Sequence, residues 1–159
     1  MPSDLAQKLV ARIKQRGPIP VSHVMHMAMH EYYTKRAALG RDGDFITAPD
    51  ISSEFGEAVG RWIERSWIEM GKPNPCRLIE LGPGQGIMMF DALSAVSTEA
   101  AAALKLVLCE VSPVLKKKQA SKLQSADPDW IGHWGEMPEG PKIVVSNEFL
   151  DALPIEQLI

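Results

Sequence analysis

The chain has 159 residues, 45% apolar and 23% charged, with a net charge of −3, which suffices for one domain with a real core. So slight an acidity leaves no footprint for nucleic-acid binding or for an anionic membrane surface. No apolar stretch approaches the ~20 residues that span a bilayer, so no membrane insertion is expected, and the opening Met1-Pro-Ser-Asp4 resembles neither a signal nor a transit peptide.

Ser3 caps a first helix, with Leu5, Leu9, Val10 and Ile13 at helical spacing and Gly17-Pro18 as its stop. Pro20 and Ser22 open a second helix reaching about Tyr33. Its Met25, Met27 and Met29 read as core filler. His23, His26 and His30 lie along one side, but no acid or cysteine of ligand spacing joins them, so they read as surface or packed imidazoles and no metal is expected. Residues 40–47 form a polar, glycine-bearing loop. Thr47, with Pro49 and Asp50 after it, then begins a helix in the manner of a capping box. Thr47 has two readings, a cap or a contact to a cofactor, because a loop entering a helix can line a pocket. The helix that follows carries Ile51, Phe55, Val59, Trp62, Ile63, Trp67 and Met70 on its expected buried side and stops at Gly71 and Pro73.

From Pro75 the pattern becomes strand, helix, strand, helix. Strand one is Cys76–Leu81, and a helix starts in the glycines after it and runs through Ile87, Phe90, Leu93 and Val96. Strand two is Leu104–Glu110. Ser112-Pro113 caps the next helix, whose Lys116–Lys118 run is a solvated side. Trp130–Trp134 is a weak third strand and Lys142–Asn147 a clean fourth. Alternation of this kind implies a parallel sheet, hence an α/β fold. Cys76 and Cys109 fall in or beside strands and read as reduced core thiols.

The stretch Arg77-Leu-Ile-Glu-Leu-Gly-Pro-Gly-Gln-Gly86 carries the chemistry. An apolar strand bearing Glu80 breaks into Gly82, Gly84 and Gly86, and a second acid, Glu110, ends the next strand. A glycine turn followed by a strand-end acid is the logic of a nucleotide-type site in which the acid holds the ribose. The dinucleotide fingerprint wants its third glycine three places after the second, and here position 87 is Ile. Pro83 also removes one N–H from the loop, which weakens it as a pyrophosphate cradle. A cofactor without phosphate fits better, and S-adenosyl-L-methionine is one; E-x-G-x-G-x-G resembles the first motif of Rossmann-like methyltransferases. Cofactor-binding candidates are thus Glu80, Gly82, Gly84, Gly86 and Glu110, with Thr47 and Trp134 beside them. Glu80 either fixes the loop backbone or meets the cofactor ammonium, and Trp134 either stacks near adenine or belongs to the core. Asn147, Glu148 and Asp151, at and just beyond the end of strand four, are the catalytic candidates; carboxylates there can orient a guanidinium for in-line displacement by positioning and electrostatics.

Gly43-Asp-Phe-Ile-Thr-Ala-Pro-Asp-Ile-Ser52, Phe55-Gly-Glu57, Glu80-Leu-Gly-Pro-Gly-Gln-Gly86, Glu110-Val-Ser112 and Asn147-Glu-Phe-Leu-Asp-Ala-Leu-Pro154 together resemble the MidA family, in order and over nearly the whole chain. These are proteobacterial relatives of the mitochondrial methyltransferase that assists assembly of respiratory complex I. The resemblance implies S-adenosylmethionine-dependent methylation of a protein arginine, with a complex I core subunit as acceptor. It places the protein in the bacterial cytoplasm, or in the mitochondrial matrix if the source is eukaryotic. It also implies a class I methyltransferase sheet of order 3-2-1-4 over the first four strands. Residues 1–72 would then be an N-terminal helical region contributing to the cofactor pocket, and residues 73–159 the first half of a Rossmann-like cofactor domain. Residues 43–57 would cover the pocket and Asn147–Pro154 would face the substrate. Family members are longer than this chain, so three strands and the substrate-recognition insertions are expected to be absent. Strand four would be left as an exposed edge that a homodimer could cover, and cofactor affinity weakened. The other reading is a noncatalytic assembly or scaffold protein that retains the fold; an NAD-linked oxidoreductase is disfavoured by the glycine spacing.

Overall fold

The structure, a computed structural model, describes residues 4–35 and 48–158. The backbone packs as two units, Met1–Arg36 with Glu148–Ile159, and Ala37–Asn147.

The first unit holds α1 (Asp4–Arg16) and α2 (Val21–Lys35). Asp4 in the first turn pairs with Lys8 at 2.6 Å, a solvent-exposed i,i+4 pair that contributes only tenths of a kcal/mol. Gly17 ends α1 as expected, taking φ 79° while its N–H bonds the Ile13 carbonyl at 2.9 Å. The cap expected at Ser3 lies outside the described residues.

The second unit begins with a departure from the sequence reading. The single helix expected from Thr47 to Met70 is two, α3 (Ala48–Ile51) and α4 (Ser53–Glu69). Ser52 breaks it: its backbone is extended, φ −149° and ψ 139°, and its hydroxyl accepts from Glu54 N–H at 3.2 Å, the local alternative that makes serine an N-cap. The buried side of α4 differs as well. Ile51, Phe55, Trp62 and Met70 are exposed, whereas Gly56, Gly60, Ile63 and Trp67 are buried. Ile63 and Trp67 face inward as the apolar periodicity expects; it missed the rest of this face because its closest packing is made by glycines. A Cβ on Gly56 would stand 2.5 Å from Asp91 Cβ and 2.9 Å from the Met88 carbonyl, and one on Gly60 would overlap the Ala92 carbonyl. Helix α4 therefore lies backbone to backbone on α5 (Ile87–Ser94).

The strands β1 (Cys76–Leu81), β2 (Leu104–Cys109), β3 (Asp129–Ile131) and β4 (Lys142–Ser146) form a parallel sheet of order β3-β2-β1-β4, as the resemblance implied. Alternate residues on one face, Cys76 and Leu78, Leu104, Leu106 and Leu108, and Ile143, join Ile63, Trp67, Met89 and Ala92 in the core. Each such aliphatic side chain taken from water stabilises by about 1.5–3 kcal/mol. Trp67 also satisfies its indole by donating to the Pro73 carbonyl at 2.9 Å, tying the end of α4 to the entry of β1.

The helix after the glycine turn stops at Ser94, short of Val96. A further helix, α6 (Thr98–Ala103), is started by Ser97, whose hydroxyl accepts from Ala100 N–H at 3.3 Å. The helix α7 (Pro113–Lys122) begins where Ser112 and Pro113 predicted it. The third strand is earlier than expected. After Ile131 the chain turns, because Gly132 N–H is taken by Glu136 Oε2 at 3.1 Å and Gly135 N–H by His133 Nδ1 at 3.0 Å. Trp134 thus opens a 3-10 turn (Trp134–Glu136) instead of ending a strand.

Candidate functional site

The register of the sheet builds one end of the second unit. Leu81 lies level with Cys109 and Ser146, and Cys109 with Ile131, so the four strands finish in a single row. The next residues along the chain are Gly82, Glu110, Gly132 and Asn147. This carboxyl edge is where open α/β sheets bind ligands.

Gly82, Gly84 and Gly86 all have positive φ, 65°, 54° and 77°. That backbone disfavours any side chain, so the alternation of glycines is a requirement of the turn. At Gly86 space is short too, a Cβ lying 3.2 Å from Leu123 Cδ1. The turn offers few free donors. Gly82 N–H bonds the Cys109 carbonyl at 3.1 Å, Gly86 N–H bonds the Pro83 carbonyl at 2.8 Å, and Pro83 has no N–H. A pyrophosphate cradle needs those groups pointing outward, so the turn suits a ligand recognised through acids instead.

Two acids supply that recognition. Glu80 is 2% exposed, on the same sheet face as Leu78, and its Oε2 has no hydrogen-bond partner among the described residues. Burial alone pushes its carboxyl up to about 8, so the acid is neutral at neutral pH. Of its two readings, fixing the loop backbone finds no bond at this oxygen, and an unpartnered buried acceptor is what an incoming cation would satisfy. Glu110 is 8% exposed and fixed: Oε1 accepts from Val111 N–H at 2.8 Å and Ser112 N–H at 2.7 Å, and Oε2 from Gln119 Nε2 at 3.1 Å. Burial raises its carboxyl, opposed by the bonds from Ser112, Gln119 and Val111 and by the charge of Lys116. A carboxylate has about four acceptor positions, so one stays free on Oε2 for a ligand hydroxyl. The donor set of this end therefore fits S-adenosylmethionine, with one acid for a cation, one for a sugar hydroxyl and no phosphate cradle.

Gln119, which the sequence reading passed over, is fully buried and joins three segments. Its Nε2 donates to the Gly84 carbonyl at 2.7 Å as well as to Glu110, and its Oε1 accepts from Trp130 Nε1 at 2.9 Å. The available signal was its place between Leu115 and Leu123, each four residues away on the buried stripe of α7.

Of the other candidates, Trp134 is half-exposed beyond β3, its ring 4.9 Å from that of His133 and tilted by 44°. Asn147 is half-buried, directly after the row. Glu148, with φ 46°, and Asp151, in the turn Leu150–Ala152, belong to the first unit, where both are exposed. Thr47 lies outside the described residues.

Residues 58–159 match the family described as "Putative S-adenosyl-L-methionine-dependent methyltransferase". A Drosophila melanogaster protein named protein arginine methyltransferase NDUFAF7 homolog, mitochondrial, is 36% identical over 181 residues, covering 97% of this chain and 41% of its own length. The Homo sapiens protein arginine methyltransferase NDUFAF7, mitochondrial, is 33% identical over 184 residues, with 96% and 42% covered. The fold is similar to a crystal structure of a COG1565 superfamily member from Burkholderia thailandensis bound to S-adenosyl-homocysteine, with a TM-score of 0.69, 26% identity, and 97% of this chain and 45% of that one covered. The chain spans less than half the length of these relatives.

Proposed function

The chain belongs to this S-adenosyl-L-methionine-dependent methyltransferase family, and on that premise we propose that it holds S-adenosylmethionine at the carboxyl ends of β1 and β2 and serves methyl transfer to a protein arginine. The observation that carries the reading is the pairing of a turn poor in free N–H groups with two buried acids, one anchored by three donors and one whose Oε2 has no partner among the described residues.

The cofactor supplies an electrophilic methyl group on a sulfonium; the chain's own residues bind and orient. Glu110 holds the ribose through the acceptor position left on Oε2. Glu80 receives the ammonium of the amino-acid end, giving up its proton to do so, since burial keeps it neutral until about pH 8. Gly82, Gly84 and Gly86 let the backbone bend beneath the ligand, Trp134 flanks the adenine, and Thr47 is proposed as a further contact to the cofactor. Asn147, Glu148 and Asp151 are proposed for the substrate side, where they keep a guanidinium lone pair in line with the methyl group. Support for these last roles is the Asn147–Pro154 motif. A complex I core subunit is the proposed acceptor, in the bacterial cytoplasm or the mitochondrial matrix; the Drosophila and human relatives are named as mitochondrial.

Isothermal titration of the chain with S-adenosylhomocysteine and with NAD tests the reading. Binding of the first and not the second, lost in Glu110→Ala, is expected; NAD binding, or indifference to Glu110→Ala, would overturn it.

A second reading, a noncatalytic assembly protein that keeps the fold, is favoured by β4. Among the described residues β4 pairs with β1 alone, and its Val144 is 40% exposed. A free edge of this kind pairs readily with another strand, here that of a second copy. Sedimentation velocity showing a concentration-dependent dimer supports it, and a monomer at every concentration removes it.

A further inference from the structure

Gln119 has a hydrogen-bond geometry that leaves its amide no freedom. Its two Nε2 protons go to two acceptors, the Gly84 carbonyl and Glu110 Oε2, and its Oε1 takes the Trp130 indole N–H. Turning the amide over would set its oxygen against both acceptors and its protons against a donor. The side chain is 0% exposed, so no water can replace any of the three partners. Those partners lie on three successive segments: the turn after β1, the end of β2, and β3. The Gly84 carbonyl shares a rigid peptide plane with the next N–H, so pinning the carbonyl also sets where that N–H points. Gly86 faces the same residue, since a Cβ there would stand 3.6 Å from Gln119 Cγ.

We propose that Gln119 is the positioning residue of the cofactor pocket, one buried amide that locks the glycine turn to the ribose-holding carboxylate and anchors both to β3. This rests on the reading of Glu110 as the ribose acid. Without the amide, Glu110 Oε2 loses its one side-chain donor among the described residues, the Gly84 peptide is free to rotate, and the Trp130 N–H is left unpaired. No other side chain of this size offers two donors and one acceptor in a plane: glutamate lacks the donors, leucine lacks all three, and asparagine is one carbon too short.

The test is Gln119→Glu in the full 159-residue chain, titrated with S-adenosylhomocysteine at pH 8 and pH 5.5, with circular dichroism as the check on folding. The introduced carboxyl opposes Glu110 Oε2 and the Gly84 carbonyl when ionised and can donate to one of them when protonated. The other charge reaching this spot is that of Lys116, and the Cys109 thiol, raised by burial, stays neutral over the range. Relative to the wild type at the same pH, affinity is expected to fall about 10- to 100-fold at pH 8, the usual effect of losing a hydrogen bond to an ionised group, and to recover most of that at pH 5.5. A merely structural defect would weaken binding equally at both pH values, and that result, or wild-type affinity at pH 8, overturns the proposal. If the variant does not fold, the wild type still decides: the Gln119 side-chain amide and Trp130 indole resonances in nitrogen-edited NMR are expected to shift on adding S-adenosylhomocysteine, and fixed resonances in the presence of binding count against it. Loss of binding in Glu110→Ala with none in Gln119→Glu removes this inference alone. Indifference to Glu110→Ala removes the ribose reading, and this inference with it.

Discussion

Replacing Glu80 by glutamine should stabilise the chain, and by an amount that grows with pH. Glu80 is wholly buried, its Oε2 has no partner among the described residues, and its carboxyl is raised from 4.5 to about 8 by burial alone. Because the folded value lies above the unfolded one, the folded chain holds this proton more tightly. The contribution of the neutral acid is then fully present below pH 4.5 and is lost as the pH rises through about 8. Each tenfold difference in proton affinity between the folded and unfolded chain is worth about 1.4 kcal/mol, so between pH 5 and pH 8 the wild type should lose about 3 to 4 kcal/mol through this group. That is a large fraction of the 5–15 kcal/mol typical of a domain. Glutamine has nearly the same shape and never ionises. Urea unfolding of both proteins at pH 5, 7 and 8 isolates the effect, because every other titrating group, Glu110 included, is common to the two. Near-equal stabilities at pH 5 and a variant more stable by about 3 to 4 kcal/mol at pH 8 are expected. Parallel pH profiles would refute the reasoning and mean that Glu80 is solvated or paired.

The same carboxyl links cofactor binding to protons: S-adenosylhomocysteine binding at pH 7 should release about one proton as the ammonium arrives, seen as an enthalpy that varies with the buffer's ionisation heat in the wild type and not in Glu80→Gln. Gly60→Ala pushes a methyl group into the Ala92 carbonyl and should destabilise by about 1 to 3 kcal/mol in urea, overpacking outweighing the better helix propensity of alanine; unchanged stability would show that α4 does not rest on α5 there. Gly86→Ala, at φ 77° and facing Leu123, should weaken both stability and S-adenosylhomocysteine affinity, measured by thermal shift with and without ligand. Burial raises both thiols, that of Cys109 further raised by the nearby Glu110 and Glu136 charges, so Ellman's reagent at pH 8 should label Cys76 and Cys109 only on unfolding.

Local chemistry made the centre of the fold legible. The run Cys76–Leu81 is apolar enough to be a strand buried on both sides, and glycines at 82, 84 and 86 stand where positive φ demands them. The place of Glu110 directly after β2 was readable because the apolar run Leu104–Cys109 ends there. Residues whose roles depend on packing were not readable. Gly56 and Gly60 are silent in a hydrophobic pattern, yet they decide which side of α4 faces inward. Ser52 and Ser97 were passed over because an apolar period continued across them, although a serine hydroxyl competes for helix N–H groups. Gln119 lies on the buried stripe of its helix, but its partners come from 35, 9 and 11 residues away, and no window along the chain contains that arrangement.

The most direct measurement is a crystal structure of the chain soaked with S-adenosylhomocysteine. The nucleoside is expected over the turn at Gly82–Gly86 with a ribose hydroxyl within hydrogen-bond distance of Glu110 Oε2. Density for the ligand elsewhere, or a ribose out of reach of that carboxylate, would contradict the assignment.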